Sequence, residues 1–496
     1  MPRLDLPSLK TILPVMVFGA LAVSGFAPFY LYPVTVASLT GLLYYWNQAG
    51  NAQHAAWLGF SFGLGLFGAG VFWIYISLHD FGGMPWWMAG FSTFALCAFL
   101  SLFPAVVGWL GKQNWGRKPV LSILAVPVLW ALSEWVRSWI FTGFPWLAVG
   151  YSQVPYSPLA GFAPVIGVYG VSLLTVFAAS LLLYWMNCKS CRFKIGLVIM
   201  ALWISGSLLK LIDWTTPYEQ PISVALVQGN IAQDMKWDPQ EAQRTLDYYF
   251  AQIKKSQADL TVLPETALPM LISQVPDEYL QEIANHAAQH NGDILVGAVE
   301  REDGQYYNSM LSFGSSPTQV YRKSHLVPFG EFIPLKNVFG WIYRDWLHIP
   351  LTDLSRGRID QQPLHVAGQR VAVNICYEDV FGEEIIRQLP SATLLVNASN
   401  DAWYGESYAA HQHMQISQTR ALETGRMMLR ATNTGATAII DQKGYVVEQA
   451  PHFTNVTLTG KAQGFHGSTP YIKFGNWLFL IFSAAVLALL WVLKKK

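Results

Sequence analysis

Charged residues are scarce in this chain of 496 residues, where Asp, Glu, Lys and Arg make up only 13%. Soluble domains average about 25%. The shortage is concentrated in residues 1–212, which carry ten basic and three acidic residues. A segment with so few charges cannot face water along most of its length, so a wholly soluble protein is excluded. A hydrophobic content of 52% excludes a disordered chain.

Cysteine is also rare, and the four present are too few for a disulfide-rich scaffold. Cys97 lies in an apolar segment, and Cys188 and Cys191 lie in a short basic loop. That pair resembles half a zinc site, but without a second pair nearby we interpret it as a loop with no chemical role. Cys376 stands alone in the polar part of the chain, where it is either a buried inert thiol or a reactive one.

Residues 213–473 differ in composition, with 19 basic and 28 acidic residues and a net charge of −9. This is typical of a soluble domain, and its acidity argues against a nucleic-acid partner. We therefore predict three parts. Residues 1–212 form a membrane domain with about seven transmembrane helices, 213–473 form a globular domain, and 474–496 form a last transmembrane helix with a basic tail.

Eight apolar segments are long enough to cross a hydrocarbon core of about 30 Å. They cover residues 11–28, 30–46, 54–78, 86–110, 119–139, 160–186, 194–212 and 475–493. Basic residues share one face of this arrangement, whereas the connections at about 79–85 and 140–159 carry only Asp80. Because basic loops stay in the cytoplasm, residues 213–473 are predicted to lie in the periplasm of a bacterium, anchored in its inner membrane.

Residues 213–473 alternate between strand and helix patterns, which indicates an α/β domain large enough for a substantial core. Predicted strands cover 222–227, 259–263, 294–299, 309–313, 370–375, 393–397 and 436–440, and predicted helices cover about 239–256, 275–290, 380–388 and 407–428.

Three residues of different chemistry follow strands in this domain: Glu265, Lys323 and Cys376. Strand ends converge on one crevice in open α/β sheets, so we expect an acid, an amine and a thiol to meet there. The set suits nucleophilic acyl transfer, in which Glu265 removes the thiol proton, Cys376 attacks and Lys323 stabilises the oxyanion. The residues after Cys376 are predicted to open a helix whose N-terminus favours the thiolate.

The segments around these residues resemble the three catalytic segments of the nitrilase (carbon-nitrogen hydrolase) superfamily. They are Leu263–Thr266, Tyr321–Lys323 with Leu326–Glu331, and Asn374–Glu378. The whole chain resembles the apolipoprotein N-acyltransferase branch, in which seven spans precede the nitrilase-like domain and one follows. Further segments that look like those of the branch are Gly143–Trp146, Gln228–Asn230 with Trp237, and Ser399–Gly405. One difference is His325, where an arginine is expected.

The resemblance implies an αββα sandwich with a Glu-Lys-Cys triad, and a ping-pong transfer without a metal or dissociable cofactor. Cys376 would take an acyl chain from a membrane phospholipid and pass it to the free α-amine of the N-terminal diacylglyceryl-cysteine of an apolipoprotein. The partners implied are therefore the phospholipid donor, the diacylated acceptor and the lipid bilayer. Two alternatives remain open: a membrane-tethered amidase or nitrilase that hydrolyses C–N bonds, and a transporter with an external regulatory domain.

Five further residues are candidates for support or substrate binding. Glu331 and Glu378 are expected to support Lys323 and Cys376, and the backbone N–H of Tyr377 is the natural oxyanion donor. Trp237 and Trp403 either line the acyl pocket or pack in the core.

Several polar residues fit simpler interpretations. His286 with His290, and His411 with His413, are interpreted as solvated helix faces rather than metal sites. Glu134 and Arg137, three residues apart in a span, form an intrahelical pair or contact a lipid headgroup. Residues 332–349 hold many aromatic and apolar side chains without a clean period and are predicted to be a membrane-dipping arm, or a loop folded on the domain.

Overall fold

The structure is a computed structural model that describes residues 7–116, 118–233, 239–334 and 353–495. The chain divides into two compact units. One unit comprises residues 1–75, 87–213 and 473–496, and the other comprises residues 76–86 and 214–472. Trp237 and most of the predicted arm lie outside the described residues.

The first unit is helical, and a helix coincides with each apolar segment of the sequence. Its helices are Leu9–Ala22, Tyr32–Gln48, Ala52–Gly70, Trp73–Ile76, Trp86–Trp115, Pro119–Arg137, Ala163–Asn187, Arg192–Leu209 and Trp477–Lys495.

Fewer of these helices than predicted have the character of a full membrane span. Among the described residues, four segments combine sufficient length with an apolar composition: Trp86–Trp115, Pro158–Asn187, Lys189–Leu209 and Trp477–Lys495. Ala52–Gly70 and Trp73–Phe81, bent by 52°, form a fifth if they are one broken span. The prediction of about eight transmembrane helices is therefore supported only in part. Leu9–Ala22 and Tyr32–Gln48 fall short because they have 14 and 17 residues.

The buried charges of Glu134 and Arg137 bind backbone of the segment that follows their helix. Glu134 Oε1 accepts from the amide of Val149 over 3.0 Å. Arg137 Nη1 donates to the carbonyl oxygens of Phe144 and Trp146, each over 2.7 Å. These bonds fold residues 144–149 onto the helix end. The charge of Arg137 also acts on Glu134, as expected for the intrahelical pair, and the lipid headgroup contact stays a prediction.

The loop between helices Ala163–Asn187 and Arg192–Leu209 is closed covalently. Cys188 and Cys191, interpreted above as chemically silent, form a disulfide. Cys97 is a free, buried thiol in the helix Trp86–Trp115.

The described residues of the second unit form two six-stranded sheets. The first sheet has the order β12-β1-β2-β3-β4-β5 and the second β11-β10-β9-β8-β7-β6. The strands are β1 Thr215–Gln228, β2 Leu260–Val262, β3 Asp293–Glu302, β4 Gln305–Gly314, β5 Val320–Arg322, β6 Leu364–Val366, β7 Gln369–Ile375, β8 Leu394–Ser399, β9 Met428–Thr432, β10 Ala438–Ile440, β11 Val446–Gln449 and β12 Val456–Gly467. β1, β2 and β3 are parallel neighbours, as are β7, β8 and β9.

Helices cover one face of each sheet, and the other faces meet. Helices Pro239–Lys255 and Asp277–Gln289 share an apolar core with the first sheet, and Ala409–Thr424 shares one with the second. The sheets meet where Phe465 N of β12 donates to Thr393 O beside β8 over 2.8 Å. The predicted α/β nitrilase-like architecture, with layers in the order helix, sheet, sheet, helix, is therefore confirmed.

Two predicted helices are wrong in extent. The helix predicted over 407–428 ends at Thr424, because Gly425 takes a left-handed conformation with φ of +60° and the chain then enters β9. The helix predicted over 380–388 is a succession of short turns, Cys376–Val380, Gly382–Ile385 and Ile386–Gln388.

Candidate active site

Three strands of the second unit carry the predicted triad at their ends. Glu265 follows β2, Lys323 follows β5 and Cys376 follows β7, and all three side chains are buried. The two sheets face each other, so residues from both meet at one site. The charges of Glu265 and Lys323 both act on the thiol of Cys376, which places the three groups together as predicted.

Lys323 lies between two carboxylates. Its Nζ atom is 3.2 Å from Glu265 Oε1 and 2.9 Å from Glu331 Oε1. Burial lowers the pKa of Lys323, but Glu265 and Glu331 outweigh it and hold the pKa above its ordinary value. The ammonium therefore stays charged at neutral pH. Glu331 supports Lys323 directly, and its Oε2 also accepts from the amide of Val327 over 2.8 Å.

Asn308 completes this cluster, although sequence reasoning did not identify it. Its Nδ2 atom donates to Glu265 Oε1 over 2.7 Å and to Glu331 Oε1 over 3.1 Å, and its carbonyl accepts from Lys323 N over 2.8 Å. Asn308 lies within β4, away from any strand end, so position along the strand gave no signal. The predicted strand, 309–313, also begins one residue after Asn308.

Glu378 joins the lysine segment to the nucleophile strand. Its Oε1 accepts from the amides of Ser324 and His325 over 2.6 and 3.1 Å, and its Oε2 accepts from the amide of Ile375 over 2.7 Å. Tyr321 Oη donates to both oxygens over 3.1 and 3.0 Å. Burial raises the pKa of Glu378, and these donors oppose that effect. Glu378 thus fixes the ends of β5 and β7 to each other, which is the supporting role predicted for it.

Cys376 has a strained backbone at the turn between β7 and the next segment. Its φ is +52°, a left-handed conformation that non-glycine residues adopt at a cost of about 1 to 3 kcal/mol. Its carbonyl oxygen accepts from Asn397 Nδ2 over 3.0 Å and contacts His413 Nε2 at 3.3 Å. The side chains of the surrounding segments hold the turn in this conformation.

The helix predicted to favour the thiolate is absent. Cys376–Val380 is a single 3₁₀ turn and has no aligned helix dipole to stabilise an anion. Burial, and next the carboxylate of Glu265, raise the pKa of the Cys376 thiol, while Lys323 lowers it in part. The resting group is therefore a thiol, which requires a base before it attacks.

The aromatic residues of the candidate segments contact other rings. The ring of Tyr377 meets Phe381 edge-on at 5.2 Å. His325, at the position where arginine was expected, stacks on Phe381 at 3.7 Å and contacts Glu384 at 3.2 Å. Trp403 is half-buried, and its ring meets Phe81 edge-on at 6.4 Å. The acyl-pocket role of Trp403 and the oxyanion role of Tyr377 remain predictions.

Three residues near Cys376 were given no individual role from the sequence, although the segment Ser399–Gly405 contains two of them. Ser399 forms a side-chain hydrogen bond with the thiol, and burial together with Cys376 and Asp401 raises the pKa of Tyr404 far above its ordinary value. His413 is fully buried against Asp379 and Asp401, so the interpretation of a solvated face is wrong. Its helix, Ala409–Thr424, is buried along almost its whole length despite many polar residues, and polarity alone gave the wrong prediction.

Comparison with known proteins assigns both parts of the chain. Residues 18–181 match the family model described as the apolipoprotein N-acyltransferase N-terminal domain, and residues 223–469 match the carbon-nitrogen hydrolase model. The apolipoprotein N-acyltransferase of Nitrosomonas europaea is 55% identical over 482 residues, which cover 97% of this chain and 96% of that protein. The chain belongs to the apolipoprotein N-acyltransferase family.

A second relative agrees with this assignment. The apolipoprotein N-acyltransferase of Chromobacterium violaceum is 44% identical over 96% of this chain and 93% of its own length. Among solved structures, a carbon-nitrogen hydrolase superfamily protein of Xanthomonas campestris is similar over 49% of this chain and 91% of its own, with 20% identity and a TM-score of 0.37. The three residues at the strand ends all fall within the carbon-nitrogen hydrolase match.

Proposed function

We propose that Cys376 is the nucleophile that carries the acyl group in the N-acylation of apolipoproteins, the reaction of the family to which this chain belongs. The observation that carries the proposal is the cluster of Glu265 and Lys323 around a buried thiol in a strained turn. Such a thiol needs a base, and a carboxylate is beside it. The transfer of an acyl group then follows from the residue types.

In the first half-reaction, Glu265 takes the thiol proton while the sulfur attacks the ester carbonyl of a phospholipid. The carbonyl oxygen becomes an oxyanion, which Lys323 Nζ and the backbone N–H of Tyr377 stabilise. The C–O bond then breaks, Glu265 returns the proton to the leaving alkoxide, and lysophospholipid departs. A thioester on Cys376 remains.

In the second half-reaction, the free α-amine of the acceptor's diacylglyceryl-cysteine attacks the thioester. Glu265 accepts a proton from the amine, the C–S bond breaks, and the thiolate recovers the proton. The product is an amide-linked acyl chain on the apolipoprotein. Glu331 and Asn308 hold Lys323 and Glu265 in place throughout, through the bonds described above.

The same proposal assigns compartments to the parts of the chain. Residues 1–212 form the N-terminal membrane domain, 213–473 form the catalytic domain in the periplasm, and 474–496 form the C-terminal span with its cytoplasmic tail. The scarcity of charge in residues 1–212, the basic loops and the family assignment support this arrangement. Both lipid substrates then reach the site from the bacterial inner membrane.

The proposal is tested with the full-length protein in detergent. Incubation with phospholipid alone should add one acyl chain to the peptide that contains Cys376, as measured by mass spectrometry after proteolysis. Cys376→Ser should abolish the thioester, whereas Cys97→Ser, which removes the other described free cysteine, should retain it. An acyl group that appears on another residue in both variants would overturn the assignment of the nucleophile.

A second arm separates transfer from hydrolysis. Addition of a diacylated lipopeptide with a free N-terminus should release the acyl group from Cys376 and yield an amide-linked triacylated product. The same lipopeptide with an acetylated N-terminus should leave the thioester in place. Release of free fatty acid at equal rates with both peptides would identify a hydrolase instead.

A further inference from the structure

Four ionisable side chains form a buried cluster behind the nucleophile. Asp379, Asp401, His413 and Arg430 are each at most 2% exposed. They come from the turn after β7, the turn after β8, the helix Ala409–Thr424 and β9. Charges are rarely buried this completely unless they are paired, because removal from water costs several kcal/mol for each.

Both ring nitrogens of His413 face carboxylates. Nδ1 is 3.0 Å from Asp401 Oδ1, and Nε2 is 2.8 Å from Asp379 Oδ1. An ionised carboxylate only accepts hydrogen bonds, so both contacts are hydrogen bonds only if both nitrogens carry a hydrogen. The geometry therefore indicates an imidazolium. Burial and the charge of Arg430 lower the pKa of His413, but the two carboxylates outweigh them and raise it above its ordinary value.

Arg430 makes the cluster neutral. Its Nη2 donates to Asp401 Oδ2 over 2.9 Å, and its Nη1 lies 3.4 Å from Asp379 Oδ2 and 2.7 Å from Asn397 Oδ1. Two anions thus face two cations when His413 is protonated. Loss of the His413 proton would leave one net negative charge in a fully buried cluster.

The cluster touches the nucleophile segment on two sides. The carbonyl oxygen of Cys376 accepts a hydrogen bond from Asn397 Nδ2 over 3.0 Å and lies 3.3 Å from His413 Nε2. Asp379 belongs to the same turn as Cys376. On the other side, Ser399 Oγ donates to Asp401 Oδ1 over 3.0 Å and also interacts with the thiol. A change of charge in the cluster therefore acts on the reacting sulfur at short range.

We propose that the His413 imidazolium is a positioning residue that holds the left-handed turn at Cys376 and cancels the negative charge of Asp401 beside the thiol. His413 touches no substrate, and its effect passes through the nucleophile. The inference rests on the proposed role of Cys376. Without the His413 charge, the negative charge of Asp401 makes ionisation of the thiol harder.

The test measures the pH midpoint of Cys376 alkylation by iodoacetamide in the full-length protein, with the acylation rate by phospholipid alongside. His413→Gln keeps a polar side chain but leaves the cluster with one negative charge in excess. The midpoint should rise by about one pH unit and acylation at pH 7 should slow by about tenfold. Asp401→Asn removes a negative charge and should lower the midpoint.

The decisive variant combines both changes. His413→Gln with Asp401→Asn leaves Asp379 and Arg430 as a neutral pair, so its midpoint should return towards that of the unmodified protein. A purely structural role would leave the double variant no better than His413→Gln. His286→Gln, on the helix Asp277–Gln289 with its Nε2 2.8 Å from Ser256 O, is the matched control and should leave the midpoint unchanged.

The other charged or titratable groups at the thiol, Glu265, Lys323 and Tyr404, are the same in all variants. Thermal unfolding in detergent shows which variants fold. If His413→Gln does not fold, the midpoint of Asp401→Asn still tests the inference. A folded His413→Gln protein with an unshifted midpoint, or an Asp401→Asn protein whose midpoint does not fall, would overturn the inference. An acyl adduct away from Cys376 would instead overturn the proposed nucleophile, so the two failures are distinguishable.

Discussion

Asn308 and Glu265 are joined by a hydrogen bond of 2.7 Å from Nδ2 to Oε1, and this same oxygen lies 3.2 Å from Lys323 Nζ. Two donors therefore fix Oε1 of the proposed base. We expect Oε2 to be the oxygen that takes the thiol proton, because Oε1 is already committed to Asn308 and Lys323. The orientation of the Glu265 carboxylate therefore depends on the hydrogen bond from Asn308.

Replacement of Asn308 by alanine should slow acylation of Cys376 by about 10- to 100-fold, the range for loss of a hydrogen bond to a charged group. Asn308→Asp should be more harmful, since it puts a third carboxylate beside Glu265 and Glu331. Single-turnover acylation with labelled phospholipid measures both effects. Asn455→Ala, which removes an amide bonded to Gly229 O instead, is the control and should acylate normally.

A second prediction concerns the pH dependence of the thiol. Burial and Glu265 raise the pKa of Cys376, and Lys323 lowers it. Glu265→Gln removes a negative charge, so the pH midpoint of alkylation by iodoacetamide should fall. Lys323→Met removes a positive charge, so the midpoint should rise.

The same two variants should both lose acylation by phospholipid, because one lacks the base and the other the oxyanion donor. In Glu265→Gln the two measurements should therefore change in opposite directions: the thiol is alkylated at lower pH, but acylation by phospholipid is lost. An alkylation midpoint that moves in the same direction in both variants would contradict the proposed charges at the site.

The meeting of Glu265, Lys323 and Cys376 at one site was predictable because it follows a rule of topology. Each of the three follows the end of a strand by at most three residues, and strand ends of an α/β domain converge. Their chemical types then limit the reaction to a few classes. The family resemblance of the same segments led to the substrate class, which residue types alone leave open.

The groups behind the triad were not predictable by the same means. The helix Ala409–Thr424 is rich in Gln, His, Ser and Thr, and this composition is typical of a solvated helix. It is buried because partners distant in sequence, such as Asp379 and Arg430, satisfy its polar side chains. The periodicity of apolar residues in a sequence indicates which apolar faces are buried. It gives no indication of a helix that is buried through a network of polar side chains.

The strained turn at Cys376 gives a prediction about stability. Glycine normally lowers the free energy of unfolding by about 0.5 to 1 kcal/mol relative to alanine. At a left-handed φ, however, alanine is strained by a comparable amount and glycine is not, so the two effects offset each other. With φ of +52°, Cys376→Gly should therefore unfold at a temperature no lower than Cys376→Ala. At Cys97, inside the helix Trp86–Trp115, the glycine variant should be clearly less stable than the alanine variant. Both comparisons are made by thermal unfolding in detergent. If the difference in unfolding temperature between the glycine and alanine variants is the same at both positions, the backbone at Cys376 is not strained.

The last prediction concerns the side of the membrane on which each unit's residues lie. Gln281 is exposed on the helix Asp277–Gln289, within the proposed periplasmic domain. In a Cys376→Ser background, Gln281→Cys should react in intact cells with a maleimide that passes the outer membrane but not the inner one.

Cys188 and Cys191 should behave in the opposite way, because the basic loop that contains them is predicted to face the cytoplasm. Their disulfide must be opened before either can react, so the cells are first treated with a membrane-permeant reductant that is then washed out. The maleimide should modify this pair only after lysis. Modification of Cys188 or Cys191 in intact cells, together with protection of the cysteine at position 281, would invert the topology. The acyl donor would then have to come from the cytoplasmic leaflet, since the site and its lipid must share a side of the membrane.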